Sequence, residues 1–156
     1  MAHLDRRRRG WHNYRMTTAV VAKPIRHAAI EAWLERFRLA WEHGDAGDWI
    51  EWAFTEDAVL RHHPLRAPMC GHDEIRLHLR RQGAILGDAE IRFGRAVIDG
   101  DRATVEWWLN ATDGTHHVTM AGTLFTRFAE DGRVSELRRY GEMHPGVHDV
   151  PYGWEL

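Results

Sequence analysis

Three acid/base candidates stand out in this chain, and their positions limit the chemistry open to them. Histidine is abundant, with 12 in 156 residues. It clusters at His62-His63, at His116-His117 and at His144 with His148. An imidazole titrates between about pH 5 and 8, so one of them in an apolar cavity can act as general acid or base. Glu106 lies in the middle of the β-rich run from Ala103 to Ala111, and Glu142 lies at the end of the last β-rich stretch. A carboxylate enclosed by apolar neighbours has a raised pKa unless it is paired. His62, Glu106 and Glu142 are therefore the catalytic candidates, with Arg138 and Arg139 the nearest partners for Glu106.

Other chemistries find less support. Neighbouring strand residues point to opposite faces, so each histidine pair gives at most one ligand to a given metal. With no His-Glu-x-x-His helix and no Cys/His knuckle, no metal is expected. No Gly-rich phosphate loop is evident and no cofactor is implied. Cys70 has no nucleophile motif around it. As the single cysteine it excludes an internal disulfide and fits a reducing, cytoplasmic setting. A net charge of −2 gives no reason to expect nucleic acid or an anionic membrane as partner. No apolar run approaches the roughly 18 residues that span a bilayer. A small-molecule ligand remains, and eight tryptophans supply flat walls for a pocket or for a core.

The elements that must position these residues follow from periodicity. Residues 1–23 open with Arg6-Arg7-Arg8-Arg9, lack periodicity and read as a flexible basic arm; Met16 is an alternative start. Residues 24–143 form one domain, and 144–156 a Gly- and Pro-containing tail that folds over an opening. From Pro24 to His43, Ile30, Trp33, Leu34, Phe37 and Trp41 make one apolar stripe at helical spacing. Gly44 caps that helix and Asp45 caps a second, running to about Phe54. A strand from Ala58 to His63 stops at Pro64, and a third helix runs from His72 to about Gln82 with Ile75, Leu77 and Leu79 as its apolar positions. Between Asp88 and Glu142 the turns Asp99-Gly100, Asp113-Gly114 and Glu130-Asp131-Gly132 separate four strands. Helices followed by an antiparallel meander predict an α+β fold with the helices on one face of the sheet.

Several stretches in this order carry a family likeness: Trp41 to Asp45, Phe54 to Val59, Pro64-Leu65, Gly71 to Ile75, and Phe128 to Tyr140. Across residues 25–143 the chain resembles the nuclear transport factor two-like superfamily. That group includes ketosteroid isomerases, limonene-epoxide hydrolases and polyketide cyclases of the SnoaL-like type. The resemblance implies a cone-shaped, curved antiparallel sheet wrapped around an N-terminal helix pair and a third helix. It also implies an apolar pocket in the concave face and a homodimer formed through the outer face.

The superfamily's known sites fit only in part. The isomerase base position falls at His62 or His63, but its oxyanion donors fall at Phe37 and Leu124. In the epoxide-hydrolase comparison Leu60 and His62 take the polar pair. Glu106 stands for the linking arginine, Trp108 for the acid and Glu142 for the second aspartate, and only Glu142 matches in type. By these comparisons Glu106, Trp108 and Asn110 are expected to face the cavity, with Val105, Trp107 and Leu109 on the other side. The opposite parity would put Glu106 in solvent and Trp108 at a dimer contact. Trp33, Phe37, Leu60, Trp108, Asn110, Met120, Leu124 and Tyr140 are the expected substrate-binding residues. The expected function is binding of a small apolar or aromatic molecule, with cofactor-free acid/base chemistry of isomerase, cyclase or hydrolase type. The competing expectation is a non-catalytic ligand-binding or dimeric interaction module.

Overall fold

The computed structural model describes residues 24–43 and 49–154. The basic arm, its Met16 start, and the Gly44 and Asp45 caps lie outside them. The first helix, α1, spans His27–Glu42 and buries Ile30, Trp33, Leu34 and Phe37. It begins three residues after Pro24, because the backbone N–H of Ile25 donates to the Gly100 carbonyl at 2.9 Å and holds that segment extended. α2 is described over Trp49–Ala53. β1 starts directly after it and spans Phe54–Arg61, four residues earlier than its apolar run suggests. A short strand β2, Met69–Cys70, pairs with β1 in what reads as loop, and α3 spans Gly71–Ile85. In α3 the face bearing Ile75 and Leu79 is buried, and Leu77, two residues from each, is 50% exposed.

Five further strands follow: β3 (Leu86–Phe93), β4 (Val97–Asp99), β5 (Arg102–Asp113), β6 (His116–Phe128) and β7 (Val134–Pro145). The first expected strand of the meander is thus two pieces, both paired with β5. The turn glycines Gly100 and Gly114 adopt φ of 59° and 62°, as Asp-Gly hairpins require. The sheet order is β2-β1-β7-β6-β5-β3, with β4 also on β5. All pairings are antiparallel except β1 with β7, which is parallel. The result is an α+β fold in which three helices are cradled by a curled, unclosed sheet.

The core lies between α1 and the concave face. Trp33 stacks on Phe37 at 5.2 Å and meets Phe54 and Phe128 edge-on. Its indole N–H donates to the Ala53 carbonyl at 3.0 Å, which ties α1 to the α2–β1 junction. Gly122 and Gly141 face each other across β6 and β7. A Cβ on Gly122 would lie 1.9 Å from the Tyr140 carbonyl oxygen, and one on Gly141 would lie 2.6 Å from the Trp107 ring. These two positions let the long strands approach and bend, and let the Trp107 indole lie on the backbone. The tail folds onto the convex face, not over the cup. The Thr119 hydroxyl accepts the His148 N–H and donates to the Gly146 carbonyl, each at 2.9 Å. The Trp108 indole N–H donates to the His148 carbonyl at 2.9 Å. Because the obstructing atoms around Gly122 are backbone, Gly122→Ala should lower stability by at least about 2 kcal/mol in urea unfolding; an unchanged midpoint would contradict this account of the bend.

Candidate functional site

Strand β5 settles which face looks inward, and the parity is opposite to expectation. Val105, Trp107 and Leu109 are buried beneath the helices, while Glu106 is exposed on the other side. The uniformly apolar set gains most from leaving water, so it takes the concave face and fixes the register of its neighbours. Glu106 pairs across to Thr123 and Tyr140, Trp108 to Ala121 and Glu142, and Asn110 to Thr119 and His144. The convex face therefore carries Glu106, Trp108, Asn110, Tyr140 and Glu142.

Four of these residues still come together, but in an open cleft of about 920 Å³ on the outside of the sheet. Glu106 and Trp108 form one wall, Tyr140 and Glu142 the other, and His148, Asp149 and Trp154 of the tail stand over it. Trp108 meets Trp154 edge-on at 6.3 Å. Asn110 sits beside the cleft, its side-chain amide 2.6 Å from the Thr119 hydroxyl. Glu142 approaches His144 at 3.7 Å with both side chains mostly in solvent. Neither expected arginine reaches Glu106: Arg138 pairs with Glu136 at 2.7 Å, and Arg139 is on the concave side.

The remaining candidates lie on the concave side. Trp33, Phe37, Leu60 and Leu124 are each at most 2% exposed, so they serve as core at its closed end. Met120 is half-buried further along. His62 follows β1 and sits at the rim, its ring 4.9 Å from that of His78 on α3. One turn on, Gln82 accepts a hydrogen bond from the Arg139 guanidinium. Arg139 is only 7% exposed. Its Cζ lies 5.2 Å from the Trp41 ring and 5.7 Å from the Trp107 ring, a cation–π arrangement on two sides. Among the described residues no carboxylate pairs with it.

Burial displaces the titrations of this cluster from their ordinary positions. Burial pushes the His78 imidazole down to about 4, helped by the positive charge of Arg139 and by His62 and Arg81. His62 is shifted down as well, first by desolvation and then by Arg139, Arg66 and His63. Burial lowers Arg139 to about 10, which leaves it a cation at neutral pH. Two neutral imidazoles thus stand beside one buried cation. Two nearby polar atoms, Nε2 of His78 and Nε1 of Trp107, are buried without a partner.

Arg139, His78, Gln82, Trp41 and Trp107 were not among the expected site residues, although their pattern is readable. Ile75, His78, Leu79 and Gln82 form a helical i, i+3, i+4, i+7 stripe, so the histidine and glutamine share the buried face. Arg139 alternates with Leu137 and Gly141 on the inward side of β7. Among the described residues no three His, Cys, Asp or Glu side chains gather to hold a metal. No described helix is long and apolar enough to cross a membrane.

The comparisons with known proteins follow the fold. The model of the SnoaL-like domain family matches residues 25–137, most of the chain. This protein belongs to that family. A search of curated proteins finds no significant match. Among solved structures, the epoxide hydrolase/cyclase-like enzyme SalBIII of salinomycin pyran-ring formation superposes with a TM-score of 0.65 at 14% identity, covering 74% of this chain and 95% of that one. An LEH-like epoxide hydrolase of Mycobacterium tuberculosis gives 0.61 at 22% identity, covering 74% and 84%. A steroid Δ-isomerase of Pseudomonas aeruginosa gives 0.56 at 20% identity, covering 78% and 84%. At these identities the likeness concerns the fold.

The depressed His78 carries a stability consequence. In the unfolded chain His78 takes up a proton near its ordinary value of 6.5, whereas the folded protein resists until about 4. Stability from this group is therefore complete above pH 6.5 and is lost as pH falls toward 4. The loss should be about 1–2 kcal/mol after allowance for solvent near the ring. Urea titrations from pH 7 to 4.5 should show the natural protein losing that much more than a His78→Gln variant; parallel curves would refute the assignment.

Proposed function

We propose that the protein binds a small molecule with an apolar or aromatic body in the concave cup and transfers a proton on it without a cofactor. His62 is the acid/base residue. The observation that carries this reading is the His62 ring at the rim, 4.9 Å from His78, with its titration lowered first by desolvation and then by Arg139. A neutral imidazole at pH 7 is the form that accepts a proton, and the exposed ring at the rim is within reach of a ligand or a water. The Trp41, Trp107 and Met120 side chains give that floor flat and adaptable surfaces. Family membership supports the same direction. Structures of this fold include an epoxide hydrolase/cyclase-like enzyme, an epoxide hydrolase and a steroid isomerase. In this reading Glu106 and Glu142, on the convex face, have no catalytic part.

A second reading, a non-catalytic binding or dimerisation module, is favoured by the aromatic cleft on the convex face. It places ligand or partner at Trp108, Tyr140 and Trp154 and leaves His62 idle. The two separate in one assay. Enolisable ketones, β-dicarbonyl compounds and epoxides are incubated with the protein in D₂O, and deuterium uptake or ring opening is followed by proton NMR. Proton transfer should be catalysed for at least one class, and His62→Gln should slow it by about a hundredfold or more with unchanged melting temperature. Full activity in His62→Gln, with loss in Glu106→Gln, would transfer the function to the outer cleft.

A further inference from the structure

Arg139 has an unusual environment for an ion. Most buried charges have a counter-charge or a full set of hydrogen bonds, because an isolated ion in low dielectric is costly. Arg139 has one glutamine acceptor and two indole faces, and among the described residues no carboxylate. A guanidinium carries five N–H donors in a planar fork. Among the described residues Gln82 is the one side chain that accepts from that fork. Two polar atoms nearby are buried without a partner. The indole N–H of Trp107 can only donate, and it is buried with no acceptor. Nε2 of His78 is also buried and unmatched, and one tautomer makes it a donor. Among the described residues the cup thus holds a buried cation with no carboxylate and a buried indole donor with no acceptor.

We infer that the cup is built to receive a small organic carboxylate, with Arg139 as its anchor and the Trp41 and Trp107 rings bracketing the site. The inference rests on the cup being the ligand site, and it sharpens the ligand class from apolar to an acid with an apolar or aromatic body. A carboxylate supplies two coplanar oxygens that match the guanidinium fork. Gln82 fixes the plane of that fork from α3. The apolar floor accepts the rest of the molecule. Arg139 is in this account a binding and orienting residue; the proton-transfer role stays with His62.

The test compares two probes that differ in charge and hardly in shape, benzoate and benzamide, at constant ionic strength. Binding is read from ¹H–¹⁵N spectra of the tryptophan indoles, with the Trp107 signal assigned by Trp107→Phe. Benzoate should bind at least tenfold more tightly than benzamide and shift the Trp107 indole proton downfield. Arg139→Met should abolish that preference, and Arg139→Lys should retain part of it. His62→Gln should still bind benzoate, so that loss of catalysis and loss of anion recognition are read separately. Equal binding of the two probes by the natural protein overturns the inference without any variant. A preference for benzoate that survives in folded Arg139→Met overturns it too.

Discussion

Where β6 and β7 pair at Gly122 and Gly141, there is no room for a side chain on Gly122: its Cβ would lie within 3 Å of three backbone atoms. That close approach lets the long strands curl, and the curl converts a sheet into a cup. Along the concave side, burial falls off from one end to the other. Ile30, Trp33 and Phe37 of α1 and Leu137 of β7 are at the sealed end, followed by Arg139, then the half-buried Trp41 and Met120, then Met143 at 47% exposure. Arg139 sits at the transition between packed core and open mouth. Trp107 can reach it because Gly141 leaves the indole space to lie on β7. A larger residue at either glycine would disturb the wall and the cation together.

Much of this architecture was legible in the sequence, for reasons of periodicity. The α1 stripe, the Asp-Gly turns and the order of elements all express local geometry that tertiary contacts reinforce. The short pieces were less legible. β2 exists because Met69 and Cys70 find a partner in β1, and nothing in those two residues demands a strand. In the candidate site, the place of His62 just after β1 follows from the run from Ala58 to His63 that Pro64 ends. Likeness to known catalytic positions implies the opposite parity for β5, whereas Val105, Trp107 and Leu109 themselves signal the one observed. A strand that offers one wholly apolar set and one mixed set buries the apolar set when helices cover only one face. Arg139 went unrecognised as a site residue because charged side chains on strands are ordinarily solvated. Only its alternation with Leu137 marked it as inward.

The two faces differ in what they can do to a titratable group. On the convex side Glu142 is bathed in solvent and Glu106 is exposed, so water screens them and their carboxylates have little reason to act as bases at a dry reaction centre. The cleft there is large, but size does not tune chemistry. On the concave side the same amount of charge has greater effect. One guanidinium, desolvated by Trp41, Trp107 and the floor, helps to hold both imidazoles neutral. This contrast is what favours the cup in the proposed function, although the outer cleft collects more of the residue types associated with acid/base work.

The lowered imidazoles owe their shift first to burial and then to the charge of Arg139. The guanidinium and the two rings share a partly desolvated region, where a second positive charge is disfavoured. An anion seated on Arg139 would cancel its charge. It would thereby remove the Coulombic part of what disfavours the imidazolium form of His62 and His78. Linkage then requires that binding an anion take up protons and that protonation favour the anion. A neutral His62 before binding is suited to accept a proton. In the proposed function the same ring, beside a bound carboxylate, would hold the proton it has taken and return it at a neighbouring atom, the sequence that isomerisation or ring closure demands of a single acid/base residue.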